Sequence, residues 1–201
     1  MIFTPFYLPL VGIALLLMFS FIKEAPTDYK LMLLAIVYIL TVFMPTILIF
    51  IYRLFRGWSL QELGQKHHRI VPYAISIACY LGCIWVMYYL HVVYLVIDII
   101  IAALLIQAIS VIVNFFWKIS THAAAIGGVS GALVGFGFDP MLHFYPLLWL
   151  CLSILVAGIV GTSRIILRQH STAQVVTGYF VGLVTAFLVT ASNYLINIFS
   201  T

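Results

Sequence analysis

Two histidines and up to four cations stand at recurrent positions in the second half of the chain. Ser163-Arg164 is followed after five residues by His170, and Gln174 stands four residues further on. Upstream, Lys118-Ile119-Ser120-Thr121-His122 places a cation, a hydroxyl and a second imidazole within one short stretch. Further upstream lie Lys66 and Arg69, with Pro72 close behind. This set suits a phosphate ester. Arginine forks match phosphate oxygens bidentately and lysine adds a point charge. A serine hydroxyl or a helix N-terminal N–H donates a further bond. One imidazole can attack phosphorus while the other protonates the leaving oxygen.

The nucleophile raises a question of support. His170 and Gln174 are neighbours on one face if the segment is helical. The Gln174 amide oxygen can accept from the ring Nδ1–H and select the tautomer. It cannot stabilise an imidazolium as a carboxylate does. The neighbouring cations disfavour a second positive charge on His170 and so favour its nucleophilic, neutral form.

The elements that position these residues follow from composition. Of 201 residues, 65% are hydrophobic and 7% charged, and the mean hydropathy is +1.23. A soluble domain of this size would need far more polar surface. The expectation is a single integral membrane domain over residues 1–201, an all-α polytopic bundle, because lipid cannot satisfy an open strand edge. A span takes about 20 apolar residues. Candidates fall at roughly 5–22, 31–54, 72–90, 93–113, 122–138, 142–160 and 174–198, which gives six to seven spans, the first interrupted by Pro5 and Pro9 and the fifth short and glycine-rich. The N-terminal run lacks a basic segment and a small-residue cleavage site, so it reads as a retained span rather than a cleaved signal. Cys79, Cys83 and Cys151 lie in apolar runs with no CxxC spacing, which indicates packing rather than disulfide or zinc chemistry.

Crossing parity then groups the chemistry. Two spans separate the Lys66–Arg69 loop from Lys118, and two more separate His122 from Arg164. An even number returns the chain to the same side. Arg53, Arg56, Lys66, His67, His68, Arg69, Lys118, His122, Arg164, Arg168 and His170 therefore share one face. Lys23, Glu24, Asp28, Lys30, His91 and Asp139 fall on the other. Seven of the nine Lys and Arg residues lie on the first face with one carboxylate, Glu62. The positive-inside rule would make that face cytoplasmic; an anion site there would account for the same charges, so orientation stays open. The excess of positive charge beside spans points to anionic lipid or phosphate rather than nucleic acid. Asp98, 16 residues before Asn114 and so roughly 24 Å away along a helix, belongs near the opposite face. His91 and His143 also fall there and read as interfacial residues, while His67 and His68 read as loop residues.

Gly127, Gly131 and Gly135 repeat every four residues on the fifth span, and Gly178 and Gly182 form a GxxxG on the seventh. Such faces allow close helix approach. If the two faces meet, His122 and His170 come together near the membrane surface.

These residues resemble the phosphatidic acid phosphatase type 2 family, the membrane branch of the haloperoxidase-like superfamily, over roughly residues 60–198. The family carries Lys-x6-Arg-Pro, Pro-Ser-Gly-His and Ser-Arg-x5-His-x3-Asp. Ser163, Arg164 and His170 fit the third signature, with Gln174 in place of the aspartate. Ser120 and His122 fit the second, with Ile119 for proline and Thr121 for glycine. Arg69 aligns with the first, but Pro72 comes two residues late and Glu62 stands where the lysine belongs; Lys66 or Lys118 would supply that charge. The resemblance implies a membrane lipid phosphatase. His170 would form a phosphohistidine, His122 would act as general acid, and Gln174 would hold the nucleophilic ring. Arg164, Ser120 and Arg69, with Lys118 and Lys66, would bind phosphate.

The expected substrate is a lipid phosphate or diphosphate: polyprenyl diphosphate, phosphatidate, phosphatidylglycerol phosphate or a phosphoglycolipid. No carboxylate cluster suggests Mg²⁺, so neither metal nor cofactor is expected. The expected location is a bacterial inner membrane, multi-pass. Two rivals come from other classes. The departures at 119, 121 and 174 and the missing first-signature lysine suit a lipid-phosphate-binding or scaffold protein that does not turn its ligand over. Two histidines on facing helices also suit bis-His haem ligation, which a colourless purified protein would remove.

Overall fold

The computed structural model describes residues 7–19, 24–57, 70–137 and 146–199. Every described element is helical: α1 (Tyr7–Phe19), α2 (Thr27–Arg56), α3 (Ile70–Tyr89), α4 (Tyr94–Phe116), α5 (Thr121–Phe136), α6 (Pro146–Ile166) and α7 (Thr172–Phe199). Five of these are long and apolar enough to cross a membrane: α2, α3, α4, α6 and α7. That makes the chain a multi-pass membrane protein in architecture. α1, with 13 residues, and α5, with 16, are shorter; sixteen residues extend only about 24 Å, less than the roughly 30 Å hydrocarbon core.

α2 widens into a π-helical segment at Tyr38–Phe43. Pro45 follows two residues after Phe43. Its missing N–H and its ring both disturb the preceding turn, and a π turn is the local adjustment that accommodates them. Buried Thr41 adds a side-chain bond to the Val37 carbonyl at 2.7 Å. α2 stops at Gly57, whose φ of 67° is left-handed, the conformation that ends helices at glycine without a Cβ penalty.

The apolar core lies among α1, α2, α3 and α4, with Ile13, Leu33, Val37, Cys83, Met87, Leu95, Val96 and Ile100 buried together. Asp98, in the second turn of α4, is buried at the same end. Cys83 packs as expected, whereas Cys151 faces outward from α6. At the opposite end, Asn114 near the close of α4 reaches Tyr73 near the start of α3 at 3.5 Å.

The tightest packing joins α5 to α7, which run parallel. Gly127 and Gly131 lie against the backbone carbonyls of Tyr179 and Leu183, and Gly182 lies against that of Ala124. Gly178 faces the Ser120 carbonyl, and Gly135 faces Thr190. The two small-residue faces meet as the sequence pattern anticipates. No side chain separates the backbones, so dispersion acts at the shortest possible range. α6 runs back alongside the pair, tied to α5 by a buried Ser130–Ser153 hydroxyl pair at 3.0 Å.

Candidate functional site

Parallel packing starts α5 and α7 side by side, and this places the two histidine segments at one end of the bundle. The backbone N–H of Ser120 donates to the Gln174 carbonyl at 3.3 Å, so the α4–α5 turn is stitched to the first turn of α7. Both helices turn their positive dipole ends toward this end.

The spacing between Arg164 and His170 has a local cause. α6 ends in a Schellman turn, with Arg168 in the left-handed region at φ 53°. Arg168 N–H donates to the Ile165 carbonyl at 2.9 Å and Gln169 N–H to that of Arg164 at 3.1 Å. The His170 N–H also reaches the Arg164 carbonyl, at 3.4 Å. His170 is thus held by the end of α6 that carries Arg164.

α7 then opens with a capping box over Ser171-Thr172-Ala173-Gln174. Gln174 N–H donates to Ser171 Oγ at 3.4 Å, and Ser171 N–H donates to Gln174 Oε1 at 3.1 Å. The same Oε1 lies 3.3 Å from His170 Nδ1. An amide oxygen only accepts, so Nδ1 carries the proton, and in the neutral ring the lone pair then belongs to Nε2. Gln174 therefore caps the helix and orients the ring at once.

Three cations surround this turn. Lys118 Nζ crosses from the α4–α5 turn to the Gln169 carbonyl at 2.8 Å. Arg164 Nη1 donates to Gln169 Oε1, also at 2.8 Å. Its Nε is buried and has no hydrogen-bond partner, an arrangement that costs roughly 1–3 kcal/mol for an orphaned polar group. Arg168 is exposed on the turn. The described carboxylates, Glu24, Asp28 and Asp98, precede or begin helices whose first turns lie at the other end.

The remaining expected residues divide. His122 sits in the first turn of α5, half-buried. Ser120 is fully buried as the N-cap of α5, its Oγ accepting from Ala123 N–H at 3.4 Å; its hydroxyl serves the helix in this arrangement. Ser163 bonds back to the Ile159 carbonyl at 2.7 Å. Lys66 and Arg69, with Glu62, His67 and His68, lie outside the described residues.

Three residues absent from the sequence-based set prove structural here. Gln169 joins Arg164 to Lys118. Ser171 caps α7, a role the Ser-x-x-Gln pattern announces. Asn114 Oδ1 accepts the Ile119 N–H at 3.1 Å, which fixes the turn leading to Ser120. Among the described residues, no three His, Cys, Asp or Glu side chains gather as a metal site would require. Compared with known proteins, the chain matches no family model, no curated sequence and no solved structure.

Proposed function

We propose that this protein is a membrane lipid phosphatase, built on a bundle of six to seven membrane-embedded helices of the phosphatidic acid phosphatase type 2 kind. The observation that carries the proposal is the His170–Gln174 contact at 3.3 Å beside Arg164 and Lys118 at one end of a parallel helix pair. A nucleophilic imidazole needs a defined tautomer, and an anionic substrate needs fixed cations. Arg164, His170 and Gln174 are held by helix-end backbone bonds, and Lys118 is anchored through its Nζ on the Gln169 carbonyl.

The chemistry balances as two displacements. The His170 Nε2 lone pair forms a bond to phosphorus as the phosphorus–oxygen bond to the lipid breaks. His122 gives its proton to the departing lipid oxygen. A water molecule then attacks the phosphohistidine, His122 takes its proton, and Nε2 leaves with inorganic phosphate released. Arg164 and Lys118 balance charge on the phosphoryl oxygens throughout. Gln174 keeps the Nδ1 proton in place but offers no countercharge to the cationic phosphohistidine ring, which makes for a slow enzyme.

A second reading is a lipid-phosphate-binding protein without turnover. The uncharged Gln174 and the buried Ser120 hydroxyl favour it.

Inorganic phosphate release from a panel of lipid phosphates, in detergent with and without EDTA, separates the two. The proposal expects EDTA-resistant release that is lost in His170→Ala. Gln174→Glu keeps the capping box and adds a carboxylate, so release rises by about tenfold, the low end of the range for a hydrogen bond to a charged partner. Binding without release in both wild type and Gln174→Glu would overturn catalysis in favour of the binding protein.

A further inference from the structure

Gln169 already holds the two cations that a phosphate would need. Its backbone carbonyl accepts from Lys118 Nζ and its carboxamide oxygen from Arg164 Nη1, each at 2.8 Å. We propose that Gln169 is a built-in competitor at the phosphate site, which an incoming phosphate displaces from Arg164. The inference rests on the phosphate reading above and adds the residue that sets its affinity.

Two halves of the contact differ in freedom. The Gln169 backbone is part of the Schellman turn, bonded to the Arg164 carbonyl at 3.1 Å, so its carbonyl stays beside Lys118. Its side chain is exposed and can swing away without disturbing that turn. Only the carboxamide on Arg164 is removable.

The state of Arg164 gives the displacement a purpose. A guanidinium binds phosphate best through two parallel N–H groups. As held by Gln169, one N–H of Arg164 is spent on the carboxamide, and Nε is buried with no hydrogen-bond partner. Releasing Gln169 frees the guanidinium to turn and offer a pair of N–H groups. A neutral amide oxygen is the weaker acceptor, since it carries no full negative charge and takes one N–H where a phosphate takes two in parallel. Phosphate therefore wins, but every ligand meets the same penalty. That common penalty keeps weakly bound phosphodiester headgroups of the surrounding bilayer off the site while a terminal phosphate, with its greater charge, still occupies it.

Calorimetric titration of inorganic phosphate into detergent-solubilised wild type, Gln169→Ala and Gln169→Glu tests the proposal without requiring turnover. Gln169→Ala should bind about tenfold more tightly, the factor that corresponds to one modest hydrogen bond to a charged group. Gln169→Glu, which places a carboxylate on Arg164, should bind more weakly than wild type. Equal or weaker binding by Gln169→Ala, or unchanged binding by Gln169→Glu, overturns the competitor role and leaves the phosphate site standing. No phosphate binding by wild type and Gln169→Ala alike overturns the phosphate reading, and the competitor with it.

Discussion

Gly178→Ala puts the contact between α5 and α7 to a direct test. A Cβ at this position would stand 2.6 Å from the Ser120 carbonyl oxygen and 3.4 Å from both Ala123 Cβ and Ala124 N. Ordinary contact begins near 3.4 Å, so the oxygen must retreat by about 0.8 Å, a shift at the scale where reactive geometry is lost. The obstacle is backbone, not a flexible side chain. The helices must part at the point where Ser120 N–H meets the Gln174 carbonyl at 3.3 Å. Overpacking of this kind costs roughly 1–3 kcal/mol, against about 1 kcal/mol of helix propensity gained from alanine. Gly158→Ala is the control, because nothing lies within 4 Å of a Cβ there. Thermal unfolding in detergent should place Gly158→Ala at or above wild type and Gly178→Ala below it. Phosphate release by Gly178→Ala should fall by about 10²-fold, the loss a misplacement near 1 Å produces. A Gly178→Ala protein as stable as Gly158→Ala would refute the close backbone approach. Lowered stability with full activity would refute the coupling of that approach to the site.

Two further perturbations follow from local hydrogen bonds. Ser120→Ala removes the N-cap of α5 and should lower stability by about 1 kcal/mol, read as an unfolding midpoint below wild type; an unchanged midpoint would mean the 3.4 Å contact to Ala123 carries no capping energy. Ile119→Pro installs the residue of the phosphatase signature, yet it deletes the N–H that Asn114 accepts at 3.1 Å. It should destabilise by about 1 kcal/mol, as for the loss of one half-buried hydrogen bond, and reduce phosphate release; a gain in activity would show that the Asn114 bond is dispensable.

Two departures from that signature have local uses in this fold. At 119 a backbone N–H is needed for Asn114, which proline lacks. At 174 a glutamine is long enough to reach back to Ser171 N–H in the capping box while its oxygen also meets His170. The sequence shows both residues as mismatches because a motif records side-chain types, whereas these bonds are made by backbone N–H groups.

Much of the architecture was legible beforehand. Long apolar runs require helices wherever lipid replaces water, and the anticipated spans overlap described helices, although α6 runs on to Ile166, beyond the expected end at 160, and α1 matches the first over fewer residues. The glycine period on residues 127–135 and 178–182 named the faces that meet, because only residues without a side chain permit that approach. Among the described residues five helices reach spanning length, and α5 is short as its glycine-rich run indicated.

Sequence by itself determined that the chain is helical, membrane-embedded and charged mainly at one end, since hydropathy and charge are properties of residue order alone. The crossing count anticipated His122 and His170 at one end, and the packing of Ser120 against Gln174 and Gly178 places the starts of their helices together. Tertiary structure alone decided that the α5 and α7 backbones pass in direct contact and that the Gln169 carbonyl meets Lys118. Residues 118 and 169 are 51 positions apart. A bond across that separation depends on how three helices pack, which no local pattern encodes.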